Sequence, residues 1–189
     1  MKTVIIDNYD SFTYNLYHYV EMVTDEVQVF RNDEVSLHQV NQFDKIILSP
    51  GPGLPVDAGI TMEIIDYFSG KKPILGICLG HQAIVESFGG QLINLDKVLH
   101  GVSVEVELDF SEPIFKGLPA KIQTGRYHSY VAALNRLPAD LKLIATDLNG
   151  TVQGVRHKQF DVVGLQFHPE SILTDFGFKI IKNWLLLSP

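Results

Sequence analysis

The stretch Pro73-Ile74-Leu75-Gly76-Ile77-Cys78-Leu79-Gly80-His81-Gln82 decides the reading of the chain. A short apolar run of strand length ends in a glycine-flanked turn, and the amphipathic segment Gln82 to Phe88 follows, so the order is strand, sharp bend, helix. Cys78, the single cysteine, stands at the bend. Gly-x-Cys-x-Gly is the thiol counterpart of a nucleophile elbow, in which small flanking residues permit a tight turn that lifts the nucleophile above the sheet. The Leu79 N–H and the first turn of the following helix then point toward the sulfur, which favours thiolate and can hold a developing oxyanion. A lone cysteine after apolar residues is otherwise a small buried hydrophobe. The functional reading therefore depends on partners elsewhere in the chain.

Upstream of this unit, Lys2 to Asp7, Val27 to Phe30 and Lys45 to Leu48 read as short buried strands. Thr13 to Val23, Leu37 to Phe43 and Ile60 to Phe68 read as helices. Ser49-Pro50-Gly51-Pro52-Gly53-Leu54-Pro55 fits neither a helix nor an inner strand. With Pro73 to Ile77 as the fourth strand, strands alternating with helices predict an α/β fold built on a doubly wound, mostly parallel sheet. From Gln91 onward the grammar changes. Gln91 to Leu95, Val102 to Leu108, Leu141 to Thr146, Val152 to Arg156 and Val162 to Phe167 are strand-like with little helix between them, which predicts added antiparallel strands in the second half. Thr174 to Leu187 reads as a closing amphipathic helix. With no repeat or linker in view, 189 residues are expected to form one domain, 1–189. Open parallel sheets bind ligands at the carboxyl ends of their strands, so the Asp7–Ser11 turn, the Pro-Gly loop and Cys78 belong to one rim.

The net charge of −7, without a block of Lys or Arg, argues against nucleic acid as a partner. No Walker pattern and no G-x-G-x-x-G follows the first strand. One cysteine and scattered histidines lack zinc spacing, so neither metal nor cofactor is expected. No apolar run approaches the roughly 18 residues that would cross a bilayer, and Asp7 interrupts the opening Val4-Ile5-Ile6. A cytoplasmic protein without membrane attachment is expected.

A cysteine nucleophile needs a base, and that base needs an orienting group. Of the seven histidines, His168 ends the apolar run Val162 to Phe167, which puts it at a strand end like Cys78. In an extended segment residues i and i+2 face one side, so His168 and Glu170 can point together across Pro169. The carboxylate would fix the imidazole tautomer and stabilise its cation. His81 is a rival by proximity, but in the first helical turn it is expected to pack or cap. His100 and His128 are expected near the pocket, and His18, His38 and His157 read as surface or half-buried residues. Pro50-Gly51-Pro52-Gly53 is a rigid turn whose glycines let backbone N–H groups approach a ligand, which makes it an oxyanion-hole candidate.

Taken together, Ser49-Pro50-Gly51-Pro52-Gly53, Gly76-Ile77-Cys78-Leu79-Gly80-His81-Gln82 and Phe167-His168-Pro169-Glu170, in this order, resemble the class I, triad-type glutamine amidotransferases. The opening Asp7-Asn8-Tyr9-Asp10-Ser11-Phe12-Thr13-Tyr14-Asn15-Leu16 and Tyr127-His128-Ser129 narrow the resemblance to subunits that serve chorismate-using synthases, those of anthranilate synthase and aminodeoxychorismate synthase. The resemblance implies a flavodoxin-like domain that hydrolyses glutamine through a cysteinyl thioester and passes ammonia to a chorismate-binding synthase subunit. It implies Cys78 as nucleophile, His168 as base and Glu170 as its orienter. Gly51 and Leu79 would supply oxyanion N–H groups, and Gly51, Pro52, Gly53, Gln82, Ser129 and Tyr130 would hold glutamine. Asn8, Tyr9, Asp10, Ser11 and Tyr14 would meet the partner. Two positions depart from the family pattern: Tyr130, where leucine is common, and Val102, where lysine is frequent. Two competing readings are a self-contained thiol hydrolase and a catalytically silent, redox-sensing thiol protein.

Overall fold

The computed structural model describes residues 1–95 and 101–187. Five parallel strands form one half of the main sheet: β1 (Lys2–Asp7), β2 (Glu26–Arg31), β3 (Lys45–Leu48), β4 (Ile74–Ile77) and β11 (Val162–Leu165). Four antiparallel strands extend it: β6 (Val102–Leu108), β7 (Lys121–Arg126), β9 (Leu141–Asp147) and β10 (Val152–His157). The spatial order is β2-β1-β3-β4-β11-β10-β9-β6-β7. This is the expected α/β architecture, a doubly wound parallel sheet with an antiparallel second half.

Alternation along the parallel strands distributes the apolar side chains to two faces. Ile5, Ile47, Leu75, Val163 and Leu165 pack against α1 (Thr13–Glu21) and α5 (Gly177–Leu186) through Leu16, Val20, Ile180, Ile181 and Trp184. Val4, Ile6, Ile46, Leu48, Ile74 and Val162 face α2 (Leu37–Val40), α3 (Thr61–Phe68) and α4 (Leu79–Ser87) through Val40, Ile64, Ile65, Phe68, Ala83 and Ile84. The strand order reverses at β1, with β2 on one side and β3 on the other. The crevice at that switch point is where such sheets place ligands.

Several boundaries differ from the sequence reading. β7 was not expected, although Lys121–Arg126 alternates buried Ile122 and Thr124 with exposed Lys121 and Gln123. Leu92–Asn94 (β5) leaves the main sheet and pairs with Tyr130–Ala132 (β8) in a separate ribbon. α5 starts at Gly177 rather than Thr174. The reason is local: the Thr174 hydroxyl donates to the His168 carbonyl at 2.5 Å, and Asp175 exchanges backbone and side-chain bonds with Gln123 of β7. These residues are held by the rim and cannot join the helix. Among the described residues, no helix is long and apolar enough to cross a membrane.

Candidate active site

β4 is wholly buried between β3 and β11 and ends at Cys78. The Cys78 N–H donates to the Leu165 carbonyl at 2.8 Å, and the Cys78 carbonyl accepts from the Gln82 N–H at 3.0 Å, so the strand hands over to α4 within one residue. Cys78 itself carries the bend, with φ 51° and ψ −101°. Such a conformation in a side-chain-bearing residue costs about 1–3 kcal/mol and is tolerated where the surroundings enforce it. The flanking glycines serve closeness rather than torsion. A Cβ on Gly76 would lie 2.4 Å from the Gly80 backbone, and one on Gly80 would lie 2.4 Å from the Leu48 carbonyl oxygen. α4 is thereby seated directly on β3 and β4, with its N-terminus beside the sulfur.

His168 follows β11, and its N–H donates to the Gly125 carbonyl of β7 at 3.3 Å. Its Nδ1 lies 2.6 Å from Glu170 Oε1, and both side chains are buried. Burial alone would depress the imidazole. The charge of a thiolate at Cys78, its hydrogen-bonding influence, and Glu170 together overcome burial and hold the pKa of His168 well above the usual histidine range. Nε2 makes no protein hydrogen bond, so its coupling to Cys78 is chiefly charge acting through space. The rings of Tyr127 and Phe12 close over the imidazole at centroid distances of 4.8 and 6.1 Å.

Two cavities meet at Cys78. One, about 210 Å³, is lined by Gly51, Pro52, Gly53, Gln82, Ser129 and Tyr130, the residues expected to hold glutamine, together with Tyr127 and His128. The other, about 380 Å³, lies on the side of the β1–α1 turn and is lined by Tyr9, Asp10, Ser11, Phe12 and His168. Asp10 there has its carboxyl raised by burial, against the opposing pull of the Phe12 N–H and the His168 charge. Gly51 adjoins Leu79: a Cβ on Gly51 would sit 2.8 Å from the Leu79 side chain and 2.4 Å from the Asn8 carbonyl oxygen. The two oxyanion candidates are thus neighbours at the sulfur.

The partner-facing segment needs one correction. Asn8 is only 2% exposed and works inward. Its N–H and Nδ2 donate to the Ser49 hydroxyl and carbonyl, both at 2.8 Å, and its Oδ1 accepts from Asn32 and from Thr61. It ties the β1 and β3 loops together across the switch point. Tyr9, Ser11 and Tyr14 are exposed, Tyr14 by 63%, and Asp10 is half-buried.

Among the histidines, His81 is fully buried against Gly164 of β11, away from the sulfur cavities, and burial lowers its pKa to about 4. It is a packing residue, as its place in the first helical turn suggested. His128 does line the smaller cavity, and His100 lies outside the described residues. His157 is buried, contrary to the surface reading. Its Nδ1 accepts from the Gln159 and Phe160 N–H groups, and its ring stacks on Phe160 at 4.3 Å. His18 and His38 are exposed.

Sequence reasoning missed Gln166, which is fully buried and lies 3.8 Å from Cys78 Sγ through its Nε2. The signal was available. The alternation that pairs His168 with Glu170 also puts Gln166 on that side.

The family model of class-I glutamine amidotransferases matches residues 4–187. The chain belongs to this family. It is 44% identical over 99% of its length to a multifunctional tryptophan biosynthesis protein of Pichia angusta, of which it spans 52%. It is 40% identical over 96% of its length to the aminodeoxychorismate/anthranilate synthase component 2 of Bacillus subtilis (strain 168), of which it spans 94%. The chain thus spans about half of the first relative and nearly all of the second. A crystal structure of a GMP synthase protein from Thermoplasma acidophilum superposes with a TM-score of 0.88 at 28% identity, covering 98% of this chain and 92% of that one. The class-I amidotransferase fold accounts for the shared elbow and rim. The names of these relatives differ in the synthase that each serves.

Proposed function

We propose that residues 1–189 form a single amidotransferase domain that hydrolyses glutamine at Cys78 and delivers ammonia to a chorismate-using synthase subunit, as anthranilate synthase component II. The observation that carries the reading is the buried His168–Glu170 pair facing a strained cysteine elbow where two cavities meet.

The chemistry follows from those groups. A free cysteine titrates near ~8.5, so at neutral pH only a few per cent is thiolate. The raised His168 and the α4 terminus favour the ion pair. Cys78 Sγ attacks the side-chain carboxamide carbon, and the electron pair moves to oxygen, facing the Gly51 and Leu79 N–H groups. The C–N bond then breaks as His168 gives its proton to the departing nitrogen, which leaves ammonia and a γ-glutamyl thioester. Water attacks the thioester as His168 takes its proton, releasing glutamate and the thiolate. Glu170 keeps the Nδ1–H in place throughout.

The glutamine would occupy the 210 Å³ cavity, and the cavity beside the β1–α1 turn would open to the partner. Tyr9, Asp10, Ser11 and Tyr14 form that rim and suit an interface with aromatic centre and polar edge. Ammonia released into water becomes ammonium, which is not nucleophilic, so an enclosed path to the acceptor is required. A component of aminodeoxychorismate synthase, or one serving both enzymes, is the second reading, favoured by the double name of the Bacillus subtilis relative. The net charge of −7 suits neither nucleic acid nor an anionic membrane surface, and a cytoplasmic location fits this role.

The test is glutaminase kcat/KM for the chain alone, with each synthase subunit, and with chorismate added. Stimulation by the anthranilate-forming subunit, strongest with chorismate and accompanied by anthranilate formation, supports the first reading. Stimulation only by the aminodeoxychorismate-forming subunit supports the second. Full activity in the isolated chain, unchanged by either, contradicts both and favours a stand-alone hydrolase.

A further inference from the structure

We propose that Gln166 is a positioning residue whose single side-chain amide registers the Cys78 sulfur to the Gln82 side chain that lines the smaller cavity. The inference rests on the amidotransferase reading for its substrate arm only.

The hydrogen bonds fix which way each amide points. Gln82 Nε2 lies 2.9 Å from the Tyr130 carbonyl oxygen, which can only accept, so that end of Gln82 is the donor. The same Nε2 lies 3.3 Å from Gln166, which must therefore present its Oε1. That leaves the Gln166 NH₂ turned to Cys78 Sγ, at 3.8 Å. Reversing Gln166 would set NH₂ against NH₂ on one side and a carbonyl oxygen against a thiolate on the other. The backbone cannot drift to relax this, because the Gln166 N–H donates to the Gln153 carbonyl at 2.9 Å and Cys78 is bonded to Leu165 next door. The side chain is also completely buried, so water does not compete for these bonds.

The chain Tyr130 carbonyl, Gln82, Gln166, sulfur has two consequences. An N–H donor on sulfur favours its anionic form and holds one Cys78 rotamer. A fixed Gln82 leaves its own Oε1 free for a ligand in the cavity that Ser129 and Tyr130 also line. One residue therefore couples nucleophile geometry to substrate placement without touching the substrate.

Two variants separate the two functions. Gln166→Met keeps length and packing but loses donor and acceptor. Gln166→Glu keeps the acceptor for Gln82 and replaces the donor with a charge that opposes thiolate. The readouts are the pH midpoint of Cys78 alkylation by iodoacetamide without glutamine, glutamine KM and kcat in the complex with the synthase subunit, and ammonium-supported synthesis as a check on folding and docking. In Gln166→Met the alkylation midpoint rises by about one pH unit, the low end for a hydrogen bond to a charged acceptor, and glutamine KM rises about tenfold. In Gln166→Glu the midpoint rises further while KM stays within about threefold of wild type. An unmoved alkylation midpoint in both variants overturns the proposal, as does a joint loss of ammonium-supported synthesis, which would make Gln166 a folding residue. A wild-type complex that cannot use glutamine overturns the amidotransferase reading instead, and the alkylation profile still decides Gln166.

Discussion

Acidification from pH 7 to 5 should destabilise this protein through two buried histidines that have no good hydrogen-bond partner. Burial holds His81 at a pKa of about 4. His128 is lowered to about 3 by burial, with the charges of Arg126 and His168 adding to it. Neither ring finds a partner for either nitrogen within hydrogen-bond geometry. In the unfolded chain both titrate near ~6.5. A histidine whose folded pKa is depressed contributes stability that is present above the unfolded pKa and lost as pH falls, because the unfolded chain binds the proton first. Between pH 7 and 5 each ring costs about 2 kcal/mol by this linkage, at about 1.36 kcal/mol per unit. At pH 5 the result depends little on the exact folded values, since both remain well below 5. His168 works in the opposite sense: its raised pKa adds stability below about 6.5 and loses it as pH rises through the folded value. Comparing variants removes that contribution. The assay is urea unfolding at pH 7 and 5, followed by the fluorescence of Trp184, the only tryptophan and fully buried. The drop in stability between the two pH values should be about 2 kcal/mol smaller in His81→Leu than in wild type, and about 4 kcal/mol smaller in His81→Leu combined with His128→Leu. Equal drops in all three proteins would refute the assignment of neutral, unpartnered rings.

Two further outcomes concern the site. His168→Ala should lower glutamine turnover by about 10²–10⁴-fold, the usual contribution of a positioned acid–base group. Glu170→Gln, which keeps shape and weakens orientation, should cost about tenfold less, as steady-state glutamate release will report. Gly51→Ala should lower kcat about 10²-fold with less change in KM, because the new Cβ would lie 2.4 Å from the Asn8 carbonyl oxygen and must displace the loop that faces the oxyanion.

Much of this arrangement is legible in the chain because local chemistry determines it. Apolar runs of strand length with a period-two division between faces made Lys2–Asp7, Lys45–Leu48 and Ile74–Ile77 recognisable, and they lie within a residue of expectation. His168 and Glu170 meet because alternation in an extended segment brings them to one side, which needs no tertiary knowledge. The rest depends on long-range contact. β7 carries Gly125 where a Cβ would lie 2.9 Å from the Ser171 hydroxyl, so its strand character is weakened by the demand for closeness to the His168 loop. His157 is buried by the rings of Phe88 and Phe160, and Phe88 is remote in sequence. Asn8 lies in a polar turn that reads as surface, yet its partners Ser49, Asn32 and Thr61 come from three separate elements. Thr174 and Asp175 have helical neighbours but are claimed by the rim.

The central claim, that Cys78 makes the ammonia which a synthase subunit consumes, is tested most directly by Cys78→Ser in the assembled complex with chorismate, supplied in parallel with glutamine or with ammonium. The account predicts that glutamine-supported synthesis falls to background while ammonium-supported synthesis continues at the wild-type rate, because only the generation of ammonia needs the thiolate. Glutamine-supported synthesis that survives the substitution would contradict it.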